Sequence, residues 1–353
     1  MSDAALIQSL RLQSQVCASL GSPFSGAFLA AAIGDIELGG PAADLFAPWD
    51  GIDVQRHFAE ATALRFLAAF HELALCGDEP ALSVHYPDAS QGGDAEAAWD
   101  AARSLIPARW DRLTDFMSHE PQTNEVGRSG VLLLGFQHVA KRFAQPLRCL
   151  ELGASAGLNQ IWDRFGYQMA DVRFGDPASP VQLHPEWRGE PPQPTAMPAV
   201  AERLACDRRP NDIRDAAVRR RLMAYIWPDQ LERLERLRGA IDMAIAADVR
   251  VTRADAADFV EVEASPRAGL ATVVYHSVFW VYMPAETQAR TRSLIEAHGA
   301  AASLDAPFAW VRLESDSEVG PGLMGLRATL WPGGEETLLA RSHPHGTWIE
   351  PEA

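Results

Sequence analysis

Glu151, Gly153, Ser155 and Gly157 fall together in the string LELGASAGLN, residues 150–159. Leu147, Cys149, Leu150 and Leu152 form an apolar run that suits a buried strand and is too short for a helix. Gly153 and Gly157 then bracket three small residues, Ala154, Ser155 and Ala156, and the loop closes on Asn159. Leu158, Ile161, Trp162 and Phe165 recur at helical spacing, which predicts a helix from about Gly157. Strand, glycine loop and helix together make a place where backbone N–H groups and a helix N-terminus can receive a polar ligand. Small side chains let the ligand approach, and glycine supplies the dihedrals of the turn.

Later elements bring further chemistry to the same edge. A strand over Val200–Cys206 delivers Asp207 to its carboxyl end, where an acid can take the hydroxyls of a ribose. It follows the glycine loop by about fifty residues, where roughly twenty is usual, so Asp171 and Asp176 compete for that role. Val249–Thr252, β-branched, delivers Asp255, which also suits a helix N-cap for 256–262. The apolar run ATVVYH, 271–276, reads as a central strand ending at His276. Phe308–Leu313 carries Glu314 to the same edge. In an open α/β sheet the carboxyl ends of the strands form the ligand crevice, so His276 and Glu314 are the candidate catalytic base groups.

Between Tyr167 and the second strand, seven prolines within 171–198 exclude a long helix and predict an inserted hairpin or lid over the loop, about 168–199. Two helices, 215–227 and 230–247, follow it. At the C-terminus, 326–331 and 337–342 flank Pro332-Gly333-Gly334 and read as a hairpin. Residues 1 to about 120 are helical in pattern, the strongest stretch being Val54–Cys76 with Phe58, Leu64, Leu67, Phe70 and Leu73 on one face. The chain therefore divides into a helical part, 1–120, able to act as a lid or acceptor side, and an α/β part, 121–353. The polar run Gln122-Thr123-Asn124-Glu125-Val126-Gly127-Arg128 joins them; its Thr123 or Asn124 can cap a helix to about Phe143, and Gln122, Asn124 and Arg128 are candidate site residues.

Composition narrows the partners. A net charge of −16 argues against a nucleic-acid or anionic-membrane surface and favours a small neutral or cationic substrate. No apolar stretch reaches membrane-spanning length, and the N-terminus lacks a basic flank before an apolar core, so a cytoplasmic location is expected. Four cysteines without C-x-x-C spacing suit buried thiols and no metal site. His343 and His345 share one side of an extended segment but lack a third ligand at a telling spacing.

The string E-L-G-A-S-A-G resembles the first motif of class I methyltransferases that use S-adenosyl-L-methionine. That resemblance implies Glu151 near the methionine part, Gly153 through Gly157 walling the cofactor, and Asp255 on the adenine amino group. It also implies a Rossmann-like doubly wound sheet with a terminal antiparallel hairpin, although only a loop, 315–325, stands where a helix would precede the hairpin. The same letters spell G-x-S-x-G, the nucleophile elbow of serine hydrolases, with Ser155 as nucleophile, His345 as base and Asp305 or Glu314 as acid. The helix-rich first 145 residues count against it. Over its whole length the chain resembles a bacterial family catalogued as a domain of unknown function, through Q-T-N-E-V-G-R, E-L-G-A-S-A-G-L-N, W-P-D-Q-L-E-R-L-E-R-L and H-P-H-G-T-W in that order. The expectation is an S-adenosyl-L-methionine-dependent methyltransferase of a small-molecule acceptor, with a non-catalytic nucleoside-binding sensor as the alternative.

Overall fold

The computed structural model describes residues 3–193 and 195–352 and divides into two compact units. Pro194, one of the seven prolines, lies outside the described residues.

One unit comprises Met1–Thr123 and Arg214–Arg238. It is all-helical, and it takes in a segment that the sequence reading gives to the α/β part. Helices Ala4–Ser19, Pro23–Glu37 and Ala95–Ser118 start at Asp3, Ser22 and Asp94, whose side chains accept free N–H groups of the first turn. The expected helix Val54–Cys76 is broken. It runs as Val54–Ala59 and Thr62–Cys76, with Ala61 left-handed at φ 52 between them. The break turns Phe58 out to 40% exposure and leaves Phe66 and Phe70 in an aromatic core with Phe28 and Trp99. His71 is buried there, stacked on Tyr86, with Nδ1 against the Ala224 carbonyl; burial pushes its pKa down to about 4. Its role is packing.

The other unit, Asn124–Ile213 and Gly239–Ala353, is built on a nine-stranded sheet. Its strands are β1 (Leu147–Leu152), β5 (Glu186–Trp187), β6 (Val200–Asp207), β7 (Thr252–Arg253), β8 (Ala271–Ser277), β9 (Phe308–Ser315), β10 (Met324–Trp331), β11 (Glu335–Ser342) and β12 (Trp348–Pro351). The order is β5-β12-β11-β10-β9-β8-β1-β6-β7. The run β7-β6-β1-β8-β9 is parallel throughout, and chain direction across the sheet reverses between β1 and β8. Both faces of β1 are buried, as an interior parallel strand requires. From β9 onward, β10, β11 and β12 add as an antiparallel meander. The unit is therefore α/β with a mostly parallel sheet. Helices Arg128–Phe143, Ala256–Glu263 and Ala285–Ala300 pack on it.

One expectation changes here. After Gly157 the chain forms a seven-residue 3₁₀ segment, Leu158–Arg164, with a kink at Ile161, and no long helix. Of the hairpin or lid expected for the proline-rich insertion, the structure shows the hairpin, formed by residues 166–175. The insertion opens with a small sheet of β2 (Gly166–Met169), β3 (Val172–Gly175) and β4 (Gln182–Leu183), then supplies β5 to the free edge of β12. Proline suits an edge strand, and covering β12 removes an exposed ladder. Among the described residues, no helix is long and apolar enough to cross a membrane.

Candidate functional site

The parallel strands bring three acids to one edge. Glu151 pairs with Ala205, Cys206 with Thr252 and Asp207 with Arg253, so Glu151 near the end of β1, Asp207 closing β6 and Asp255 two residues beyond β7 fall on adjacent strands at one edge. All three charges act on the Cys206 thiol, which burial and these neighbours hold well above its ordinary pKa. Glu151 is fully enclosed, its Oε2 accepting the Tyr275 hydroxyl at 3.3 Å. Burial, reinforced by the Asp207 charge, pushes its pKa up to about 8 against the pull of that hydrogen bond. Asp171 lies in the β2–β3 turn, and Asp176 accepts the Ala178 N–H within the small-sheet region. Asp207 is thus the acid at the sheet edge.

The glycine turn uses its own donors. Ala154 N–H goes to the Cys206 carbonyl, Ser155 N–H to Asp207 Oδ2 at 2.9 Å, and Gly157 N–H to the Ala154 carbonyl. Leu158 N–H, the first donor of the 3₁₀ segment, goes to Asn124 Oδ1 at 2.9 Å. Four N–H groups of the expected cradle, those of Ala154, Ser155, Gly157 and Leu158, are therefore spent inside the protein. Ser155 is left-handed at φ 53, and Asn211 holds it twice, main-chain N–H to its carbonyl and Nδ2 to its Oγ, both at 3.0 Å. That hydroxyl meets an amide, and no imidazole is bonded to it.

The two glycines are needed, though against protein. A Cβ on Gly153, whose φ is 66, would overlap the Phe279 ring. One on Gly157 would overlap the Gln160 side chain and come within 2.9 Å of Val249 and Val251. Sequence reasoning assigns both faces to a cofactor; instead side chains from later elements stand there.

His276 and Glu314 do meet. Imidazole Nδ1 lies 2.7 Å from Glu314 Oε1, and the ring is fully buried. Trp310 donates its indole N–H to His276 Nε2 at 3.1 Å. Indole nitrogen is a donor only, so Nε2 accepts, and Nδ1 carries the proton given to Glu314. The same Oε1 also accepts Phe279 N–H at 2.9 Å and Trp280 N–H at 3.2 Å. Both ring nitrogens are engaged, and in this conformation His276 and Glu314 brace the turn after β8.

The remaining candidates are positional. Asn159 accepts the Ser129 hydroxyl at 2.7 Å and donates to the Glu125 carbonyl, tying the glycine turn to the start of the helix Arg128–Phe143. Arg128 donates to the Pro344 carbonyl at 2.9 Å, reaches the Ser277 carbonyl at 3.5 Å, and so joins the His343-Pro344-His345-Gly346 turn to the end of β8. Asp255 caps the helix Ala256–Glu263 through Oδ1 at 2.9 Å. His343 and His345 contact each other, with ring centroids 5.2 Å apart. Among the described residues, no group of three or more His, Cys, Asp or Glu is placed to hold a metal ion. Asn211, Phe279, Trp310 and Tyr275 escaped the sequence reading. Only Phe279 carried a signal, as part of the aromatic run after His276.

The α/β unit thus has a mostly parallel sheet with three acids, Glu151, Asp207 and Asp255, near the carboxyl ends of the adjacent strands β1, β6 and β7. The chain belongs to the family described as "Uncharacterized protein conserved in bacteria (DUF2332)", whose model matches residues 8–350. No curated protein and no solved structure gives a significant match.

Proposed function

We propose that the α/β unit binds S-adenosyl-L-methionine across the carboxyl ends of β1, β6 and β7 and serves as a methyltransferase for a small-molecule acceptor. The observation that carries this reading is the row Glu151, Asp207 and Asp255, together with a glycine turn in which the N–H groups of Ala154, Ser155, Gly157 and Leu158 are already used. A dinucleotide or other phosphate ligand needs free N–H donors at this turn and would meet three carboxylates. Hydroxyl, amino and sulfonium groups are what such a row accepts, by hydrogen bond or by charge.

In this reading Asp207 would hold the ribose hydroxyls through its remaining lone pairs and Asp255 the adenine amino group through Oδ2, Oδ1 keeping the helix cap, while the enclosed Glu151 would act on the cationic amino-acid end by its charge. When bound, S-adenosyl-L-methionine supplies the methyl group together with its leaving group. The protein then has to orient an acceptor and exclude water. The His276–Glu314 pair contributes by holding the turn after β8 in place.

A non-catalytic sensor is the second reading. It is favoured by the engagement of both His276 nitrogens, which leaves the imidazole unready to act as a base. The serine-hydrolase alternative lacks such support, because the Asn211 amide beside Ser155 Oγ cannot take its proton. Incubation of the purified chain with S-adenosyl-L-methionine and a bacterial metabolite extract tests the choice. S-adenosylhomocysteine formed by the protein, and abolished in Asp255→Ala, is the expected result. Binding without turnover in any extract selects the sensor.

A further inference from the structure

The glycine turn and the segment after β8 meet through one side chain. Half-buried Phe279 lies over Gly153 so closely that no Cβ fits between them. The turn that aims it begins at Val278, whose φ of 50 is left-handed. A β-branched residue is among the least suited to that conformation, since its side chain crowds the backbone. Ser155, on the turn being covered, is left-handed as well. Strain of this kind persists only where surrounding contacts enforce it. Here the enforcing contacts centre on Trp280 and Glu314: the Trp280 ring stacks on His276 with centroids 5.1 Å apart, and its carbonyl accepts Gln288 Nε2 at 3.0 Å. Val278 N–H reaches the Leu313 carbonyl at 2.9 Å, and His276 Nδ1, Phe279 N–H and Trp280 N–H converge on one oxygen of Glu314. Just beyond, Val281 and Tyr282 are 60% and 76% exposed and anchor little.

We infer that Phe279 is a built-in competitor for the place a ligand takes on Gly153, and that the Val278–Trp280 turn switches between a ring-on and a ring-off state. The nature of the ligand rests on the function proposed above; the switch itself does not. A molecule lying over the glycine turn needs the Gly153 backbone that the ring covers, so ring and ligand exclude each other. Strain in Val278 raises the ring-on state and so narrows the gap between the two. A ligand selects the ring-off state, and its apparent affinity falls by the fraction of molecules in which that state is populated.

Two substitutions move the switch in opposite directions. Phe279→Ala removes the cover. Val278→Gly relieves the strain of the covered state, and Val278→Asn, a second residue tolerant of left-handed backbone, repeats the test if the glycine variant folds poorly. By hydrogen–deuterium exchange of the full, ligand-free chain, the peptide holding 153–157 is expected to exchange several-fold faster in Phe279→Ala. It should exchange several-fold slower in Val278→Gly. A mere loss of packing or stiffness would speed exchange in both, so faster or unchanged exchange in the Val278 variants overturns the switch. Calorimetric titration with S-adenosylhomocysteine then separates the two ideas. The switch requires Phe279→Ala to bind about three- to tenfold tighter, and Val278→Gly weaker, than the natural chain. Equal affinity in all three removes the switch and leaves the binding reading. The opposed exchange pattern with no binding by any of them supports the switch and removes the binding reading.

Discussion

Trp310 donates its indole N–H to Nε2 of His276 at 3.1 Å, and this single bond fixes what the histidine is. The ring is a neutral tautomer with its proton on Nδ1, shared with Glu314. Removing the donor strands a buried acceptor, which costs about 1–3 kcal/mol. Trp310→Phe, which keeps most of the ring's packing, should therefore lower the urea-unfolding free energy by that amount. The ¹⁵N chemical shifts of His276 should report the Nδ1–H tautomer in the natural chain.

Glu151 sets a pH dependence. Its pKa, ordinarily 4.5, stands at about 8 in the folded chain. Between those values the folded state binds the proton more than the unfolded state does, so this carboxyl's contribution to stability is full below 4.5 and is lost as pH rises to about 8. The natural chain should lose stability over that window by more than Glu151→Gln does, by a margin on the order of a few kcal/mol. A cationic ligand beside Glu151 favours the carboxylate, so binding at pH 7 should release a proton. Calorimetric enthalpies that change with the ionisation enthalpy of the buffer would show it.

Asn124 accepts the first N–H of the 3₁₀ segment after the glycine turn. Asn124→Ala should cost ~1 kcal/mol of stability, the usual loss of a capping side chain, and Asn124→Asp should restore most of it. Thermal unfolding of the three proteins is the measurement.

Ser155 carries two opposed effects, a left-handed backbone and a hydrogen bond from Asn211. Ser155→Ala keeps the strain and loses the bond, at about 0.5–1.5 kcal/mol. Ser155→Gly loses the bond but relieves the strain, so it should be more stable than Ser155→Ala by about 1 kcal/mol. The reverse order would show that the hydroxyl does more than hold Asn211.

What the sequence made legible was whatever strand chemistry dictates. Apolar runs of strand length located β1, β8 and β9, and the acids near the ends of β1 and β6 fall at the sheet edge because those strands are parallel. β7 is only two residues long, and Asp255 follows it as the cap of the next helix. Local pattern could not show where a regular period stops. Phe58 through Leu73 keeps helical spacing across Ala61, and Leu158 through Phe165 keeps it across a 3₁₀ segment, because spacing does not report the backbone conformation of one residue. Partners remote in the chain were also invisible. Nothing near Gly153 announces that Phe279 lies on it, nor anything near His276 that Trp310 saturates it. β5 and β12 escaped because each is short and pairs only with a distant or late segment.

The most direct test of the account is calorimetric titration of the full chain with S-adenosylhomocysteine, beside Asp255→Asn, which keeps an acceptor for the helix cap while removing the carboxylate. The account predicts one site per chain and an affinity at least about tenfold weaker in the variant, equivalent to ~1.4 kcal/mol. Heat of dilution alone from the natural chain, or equal binding by both proteins, would contradict it.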